Sequence, residues 1–174
     1  MSANLRTLIP LVASLVPLST SAQAYRPSHV PPRGTELLAV YVTAPTCHAC
    51  RAREMPATLD RIKVMLQRQA QAAGQRFRAV FVAVDWEPDS GLALAREDGP
   101  WDEIIVGRNW YNAGVEQYVW GDTATKPELP QIILIEQRIE IGARVRFEQA
   151  HVLRRLIGLE AFQPWLRQGL PRAP

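Results

Sequence analysis

The chain has 174 residues, 47% of them hydrophobic and 21% charged, the profile of one globular domain with room for a core. Its formal charge of +3 comes from Lys and Arg scattered along the sequence. No basic stripe with interleaved aromatics is present, which excludes a nucleic-acid surface as the main function.

The N-terminus reads as a targeting segment. Arg6 supplies a positive start, Leu8 to Leu18 an apolar run, and Ala22-Gln23-Ala24 a small-x-small cleavage site before Tyr25. The run is interrupted by Pro10 and Pro17 and falls short of the roughly 20 apolar residues that a bilayer span needs. The expectation is a cleavable signal peptide over 1–24 and a mature protein in the periplasm. Residues 25–35, rich in proline, read as an extended leader rather than a packed element.

Leu37 to Val42 is a short apolar run with β-branched and aromatic members, so a strand is expected there. A turn at Thr43-Ala44-Pro45-Thr46 leads to Cys47. From about Cys50 to Ala73 the apolar residues Leu59, Ile62 and Leu66 fall at helical spacing, with Lys63 among them. The pattern predicts a helix starting at Cys50, kinked at Pro56 and ended by Gly74. Ala79 to Val84 is apolar almost throughout, as in a strand buried on both faces. A short helix is expected over Leu92 to Arg96, then a long aromatic stretch from Pro100 to Gly121. Gln131 to Glu136 and roughly Ile139 to Phe147 read as the two strands of a hairpin. Gln149 to Leu166 reads as a closing helix, with Val152, Leu153, Leu156 and Ile157 as its apolar face.

The order strand, helix, strand, helix plus insert, strand, strand, helix fits an α/β fold of three layers with a central mixed sheet. The two cysteines are the only ones and stand three residues apart. So short a loop contributes little by closure, and a secreted domain held by disulfides would space more of them widely. The pair is there for reactivity.

This order, with C-x-x-C at the first turn of the first long helix, resembles the thioredoxin superfamily over about Glu36 to Leu166. Ala44-Pro45-Thr46-Cys47-His48-Ala49-Cys50 is similar to the family's A-x-x-C-x-x-C. Cys50-Arg51-Ala52-Arg53-Glu54-Met55-Pro56 resembles the C-R-x-E-M-P run of the periplasmic TlpA-like branch, with one residue more. Val82 to Pro88 resembles the second core strand and its acidic turn. Pro130, just before an apolar strand, stands where the family keeps its cis-proline. The organisation implied is a thioredoxin-like domain over 36–174 with a helical insert at about 91–125.

At a helix N-terminus, backbone N–H groups and the helix dipole would stabilise a Cys47 thiolate as nucleophile. Cys50, one turn on, would resolve the mixed disulfide. A His48 imidazolium would stabilise the thiolate further and favour the reduced form. By the resemblance, a cis Leu129-Pro130 bond would bring backbone groups beside the cysteines for a substrate strand. Thr46, Leu129 and the insert residue Trp110 complete the expected substrate-binding set.

Departures from the pattern narrow the subtype. Thr46 stands where thioredoxins carry Trp. Tyr41 stands where many reductases of the family have a buried acid, six residues before the first cysteine. The insert adds Trp101, Trp110, Tyr111, Tyr118 and Trp120, with Tyr111, Val115, Tyr118 and Val119 on one helical face. That face would either pack the insert onto the domain or recognise partners. Asn109 and Asn112 read as capping or turn residues.

The function expected is a periplasmic thiol–disulfide oxidoreductase acting on protein cysteines, with a membrane redox partner, no cofactor and no metal. Two alternatives use the same residues. Cys47, Cys50 and His48 could hold Cu(I) as soft ligands in a metallochaperone, with His29 and His151 as surface residues. The aromatic insert could instead dock an adaptor into an envelope assembly.

Overall fold

A computed structural model of the chain describes residues 24–28, 33–121, 127–148 and 150–172. The expected targeting segment, apart from Ala24, and His29 lie outside these residues.

β1 (Gly34–Thr43) runs through the centre of a mixed sheet. It pairs in parallel with β2 (Arg76–Ala83), from Glu36 opposite Arg76 to Thr43 opposite Ala83. On its other side it pairs antiparallel with β4 (Gln131–Ile141), from Gly34 opposite Ile139 to Val42 opposite Gln131. β3 (Glu103–Ile105) extends the sheet in parallel beyond β2. β5 (Val145–Phe147) and β6 (His151–Ile157) both lie antiparallel to β4 along its outer edge.

The period of two along each strand builds two cores. Leu37, Ala39 and Tyr41 of β1, with Phe77, Ala79 and Phe81 of β2, face α1 (Met55–Ala72), α2 (Pro88–Asp98) and α4 (Leu159–Arg167). Leu38, Val40 and Val42, with Val80, Val82, Ile133 and Ile135, face the other way. There α3 (Ala113–Val115) and the π-helical turn Glu116–Trp120 cover them with Val115, Tyr118 and Val119. Strands buried on both faces account for the nearly continuous apolar runs in the sequence. The result is the expected three-layer α/β arrangement, with the cysteine turn after β1 and a proline opening β4. This is a thioredoxin-like fold.

Several elements differ from the expectation. The hairpin turn expected after Glu136 is absent: β4 continues to Ile141, and the chain turns at 142–144. The closing helix expected from Gln149 begins only at Leu159; His151 to Ile157 is strand β6, so His151 opens a strand and not a helix. The cause is a bulge. Leu134 pairs with Arg154 and Ile135 with Val152, leaving Leu153 as an extra residue. Alternation is broken there, so Leu153 and Leu156, three apart, both pack on the helix-side core. That spacing reads as a helix from sequence. β3 was not expected inside the insert. The leader is also not wholly extended away from the domain: Tyr25 is buried, its ring edge-on to Phe77 at 5.6 Å, and its hydroxyl donates to Asp102.

Candidate active site

β1 delivers the chain to the cysteines. Just past its end, the Ala44 carbonyl accepts the Cys47 N–H at 3.1 Å, closing a tight turn. Cys47 and Cys50 form a disulfide with Cα atoms 5.2 Å apart. Thr46 and His48 are exposed, Cys47 is half-buried and Cys50 is fully buried. The Cys50 N–H donates to Cys47 Sγ at 3.2 Å, so a backbone donor already points at the sulfur that would carry negative charge.

The cysteines do not stand on the long helix. Ala49–Arg51 forms a separate 3-10 turn opened by His48, whose side chain makes no capping bond. Ala52 is extended (φ −57°, ψ 135°), and α1 starts afresh at Met55. Proline explains the break. In a continuous helix from Cys50, the Pro56 ring would clash with the Ala52 carbonyl and leave it without a donor. Starting the helix at Met55 places Pro56 in the first turn, where its missing N–H costs nothing. The expected kink is therefore a restart. Local support for a Cys47 thiolate comes from the short turn and not from the α1 dipole.

The Leu129–Pro130 peptide is cis. Gln131, next in sequence, pairs with Val42 at the end of β1. Pro130 therefore sits at the end of the sheet from which the cysteine turn springs. Its carbonyl accepts the Gly158 N–H at 2.8 Å. Leu129, Cys47 and Trp110 all pack at the margin of the second core. Three expected site residues thus pack against the same core, and Thr46 and His48 are exposed on the cysteine turn.

The segment expected as an insert is held mainly by packing. Val115, Tyr118 and Val119 are buried against the sheet, and Asn112 caps α3 by accepting the Val115 N–H at 2.9 Å. The Asn112 amide also donates to the Ala83 carbonyl at 2.9 Å, and Asn109 Oδ1 accepts the Trp110 N–H at 2.8 Å. Trp120 Nε1 donates to the Trp110 carbonyl at 2.8 Å. Tyr111 departs from the expected face: it is 67% exposed and lies 6.4 Å from the equally exposed Trp86 ring.

Sequence reasoning missed a polar cluster behind the cysteines. Lys63 is buried; its ammonium donates to the carbonyls of Asp98 and Pro100, each at 3.0 Å, and lies 4.1 Å from the Trp101 ring centre. Burial pulls its pKa down to about 8. Asp98, the last residue of α2, is 2% exposed, and burial pushes its carboxyl up to about 6, against the pull of Lys63. Tyr41 stacks on Trp101 at 5.9 Å, and burial raises its phenol far above the ordinary range. The one signal in the sequence was Lys63, a charge on the apolar stripe of α1.

Among the described residues no group of three or more His, Cys, Asp or Glu could hold a metal ion, and no helix is long and apolar enough to cross a membrane. No protein-family model and no curated protein sequence matches the chain. Among solved structures it is similar to a candidate protein disulfide isomerase from Bacteroides thetaiotaomicron, at 18% identity and a TM-score of 0.40, over 78% of this chain and 72% of that one. It is also similar to MTB DsbF, at 13% identity and a TM-score of 0.36, over 77% and 78%. At these values neither likeness bears on chemistry. The strand order carries the fold.

Proposed function

We propose that the chain is an exported thiol–disulfide oxidoreductase that exchanges disulfides with protein cysteines. The asymmetry of the pair carries this reading: Cys47 is half-buried on an exposed turn, and Cys50 is buried behind it. A substrate can reach Cys47 and not Cys50, which matches nucleophile and resolving roles. Cys47 attacks a substrate disulfide, and Cys50 then displaces the substrate and closes the internal disulfide. The reverse sequence passes the disulfide to a substrate dithiol. His48 lies next to the nucleophile, and Leu129, Pro130, Thr46 and Trp110 form the bed for the substrate segment. The two sulfurs need no cofactor. The N-terminal pattern supports a periplasmic location, where a membrane donor or acceptor would restore the pair after each turnover.

Two measurements test this. Cys50→Ser should trap substrate proteins as mixed disulfides at Cys47, whereas Cys47→Ser should trap none. Equilibration with glutathione, followed by tryptophan fluorescence, gives the direction. A potential near about −120 mV would mark an oxidant, and one near about −270 mV a reductant. No exchange with glutathione would overturn the reading in favour of an adaptor or a metal carrier.

A further inference from the structure

The exchange chemistry leaves one proton without an obvious destination. For Cys50 to attack a mixed disulfide at Cys47, its thiol must first lose a proton. Cys50 is buried, so that proton must leave through whatever the sulfur's surroundings offer. Those surroundings include a cleft of about 160 Å³ whose lining holds Cys50, Arg51, Pro56, Leu94, Glu97 and Asp98. Its volume is sufficient for water to bridge the groups along its floor.

Resting on the oxidoreductase reading, we propose that Asp98 is the proton acceptor and donor for the Cys50 thiol across this shared cleft. Three observations support the assignment. Asp98 is buried at the cleft wall, and its Oδ2 has no hydrogen-bond partner among the described residues. A buried unpartnered carboxylate oxygen is costly and calls for a reason. The strand position six residues before Cys47 cannot do the work, because Tyr41 is a phenol that burial keeps neutral. Finally, the surroundings poise the carboxyl near neutrality. Burial raises it, Lys63 on α1 and Arg51 on the cysteine turn restrain the rise, and Glu97 on its own helix adds to it. Arg53 lines the same cleft, and Tyr41 on β1 feels the Asp98 charge. The Lys63 ammonium is committed to two backbone carbonyls, one of them that of Asp98, which anchors the end of α2 beside the cleft.

The step balances as follows. The Cys50 proton passes to the Asp98 carboxylate, and the Cys50 sulfur attacks Cys47 Sγ. The Cys47–Cys50 bond forms, the bond from Cys47 to the substrate sulfur breaks, and the substrate leaves as a thiolate carrying the electron pair. The substrate disulfide is thereby reduced and the chain oxidised. In the reverse direction Asp98 returns the proton to Cys50 as its sulfur is expelled.

The test uses the full reduced protein and oxidised glutathione, quenched in acid at intervals between about pH 5 and pH 9. Mass spectrometry separates the Cys47–glutathione adduct from the closed internal disulfide. Wild-type closure should decline as pH falls through about 6, where the carboxyl becomes protonated. Asp98→Asn should close roughly tenfold to a hundredfold more slowly at neutral pH and accumulate the adduct. The gap should narrow in alkali, where Cys50 ionises unaided. Asp98→Glu should recover part of the rate, and Asp89→Asn, exposed at the opposite end of α2, should leave closure unchanged. Should the amide variant fail to fold, Asp98→Ser serves in its place. A folded Asp98 variant with the wild-type closure rate and pH profile overturns the assignment. A wild-type chain that never reacts with glutathione overturns the oxidoreductase reading itself, so the two failures are distinguishable.

Discussion

At the scale of single residues, the site combines charge with burial, and the consequences are measurable. Asp98 ionises at about 6 in the folded chain, above its ordinary 3.8. Between those values the folded state holds more protons than the unfolded one, so stability falls as pH rises through that window. Two units correspond to about 3 kcal/mol at most. Asp98→Asn should therefore melt at a higher temperature than wild type at pH 7.5, with the difference gone by pH 4. Equal melting temperatures at both pH values would show that the buried carboxylate carries no such cost. A residue kept at the expense of stability is what a functional site predicts. The role proposed for His48 concerns the redox couple. A positive charge beside Cys47 would favour the thiolate and hence the reduced form. His48→Ala should make the pair more reducing, by on the order of 30 mV, a tenfold change in the exchange equilibrium. An unchanged potential would reduce His48 to a solvated turn residue.

At the scale of elements, two junctions set the geometry. The first is the restart of the helix after the cysteine turn. With Pro56 in the first turn of α1, Pro56→Ala removes no strain and restores only unfolded-chain freedom. It should lower stability by about 1 kcal/mol or less in denaturant unfolding. A clear gain in stability would instead indicate a kinked continuous helix. The second junction seats α3 on the sheet. A Cβ on Gly114 would meet Val82 Cγ2 at 2.8 Å and Ile105 Cδ1 at 2.9 Å. Gly114→Ala should cost about 1–3 kcal/mol, because the close-packed sheet side chains must move. The same variant should disturb Trp110, which lies in the 3-10 turn Asn109–Tyr111 just before α3.

At the scale of the whole molecule, β1 and β4 are sandwiched between two cores, while the outer edge is thinly covered. Residues 145–147 of β5 are all exposed, with Phe147 at 65%. Amide exchange should follow this gradient, slowest in Leu37–Val42 and Ile132–Ile135 and fastest in β5. Uniform protection across the sheet would contradict the layered packing. The exposed edge strand carries Arg146, with Arg144 in the turn before it, charges that discourage strand pairing with another chain. The aromatic segment, which the sequence left open as either packing or recognition, is divided in space. Val115, Tyr118 and Val119 form the second core's lid, whereas Tyr111 and Trp120 remain at the surface.

The sequence by itself determined the features that local pattern encodes. Apolar runs such as Ala79–Val84 marked strands buried on both faces, Gly74 marked the end of α1 with φ +67°, and the spacing of Cys47 and Cys50 marked the candidate reactive turn. The place of Pro130 before β4 was legible through resemblance, and its cis geometry is seen only in the folded chain. The tertiary structure decided what depends on distant partners. A bulge against β4 turned an apparent helix into β6, because pairing to a sheet edge outweighs a local spacing of three and four. Packing of α1 against α2 buried Lys63 beside Asp98 and brought that carboxyl to the cleft of Cys50. No local period encodes such a meeting, since it joins residues far apart in the chain through the folded core alone.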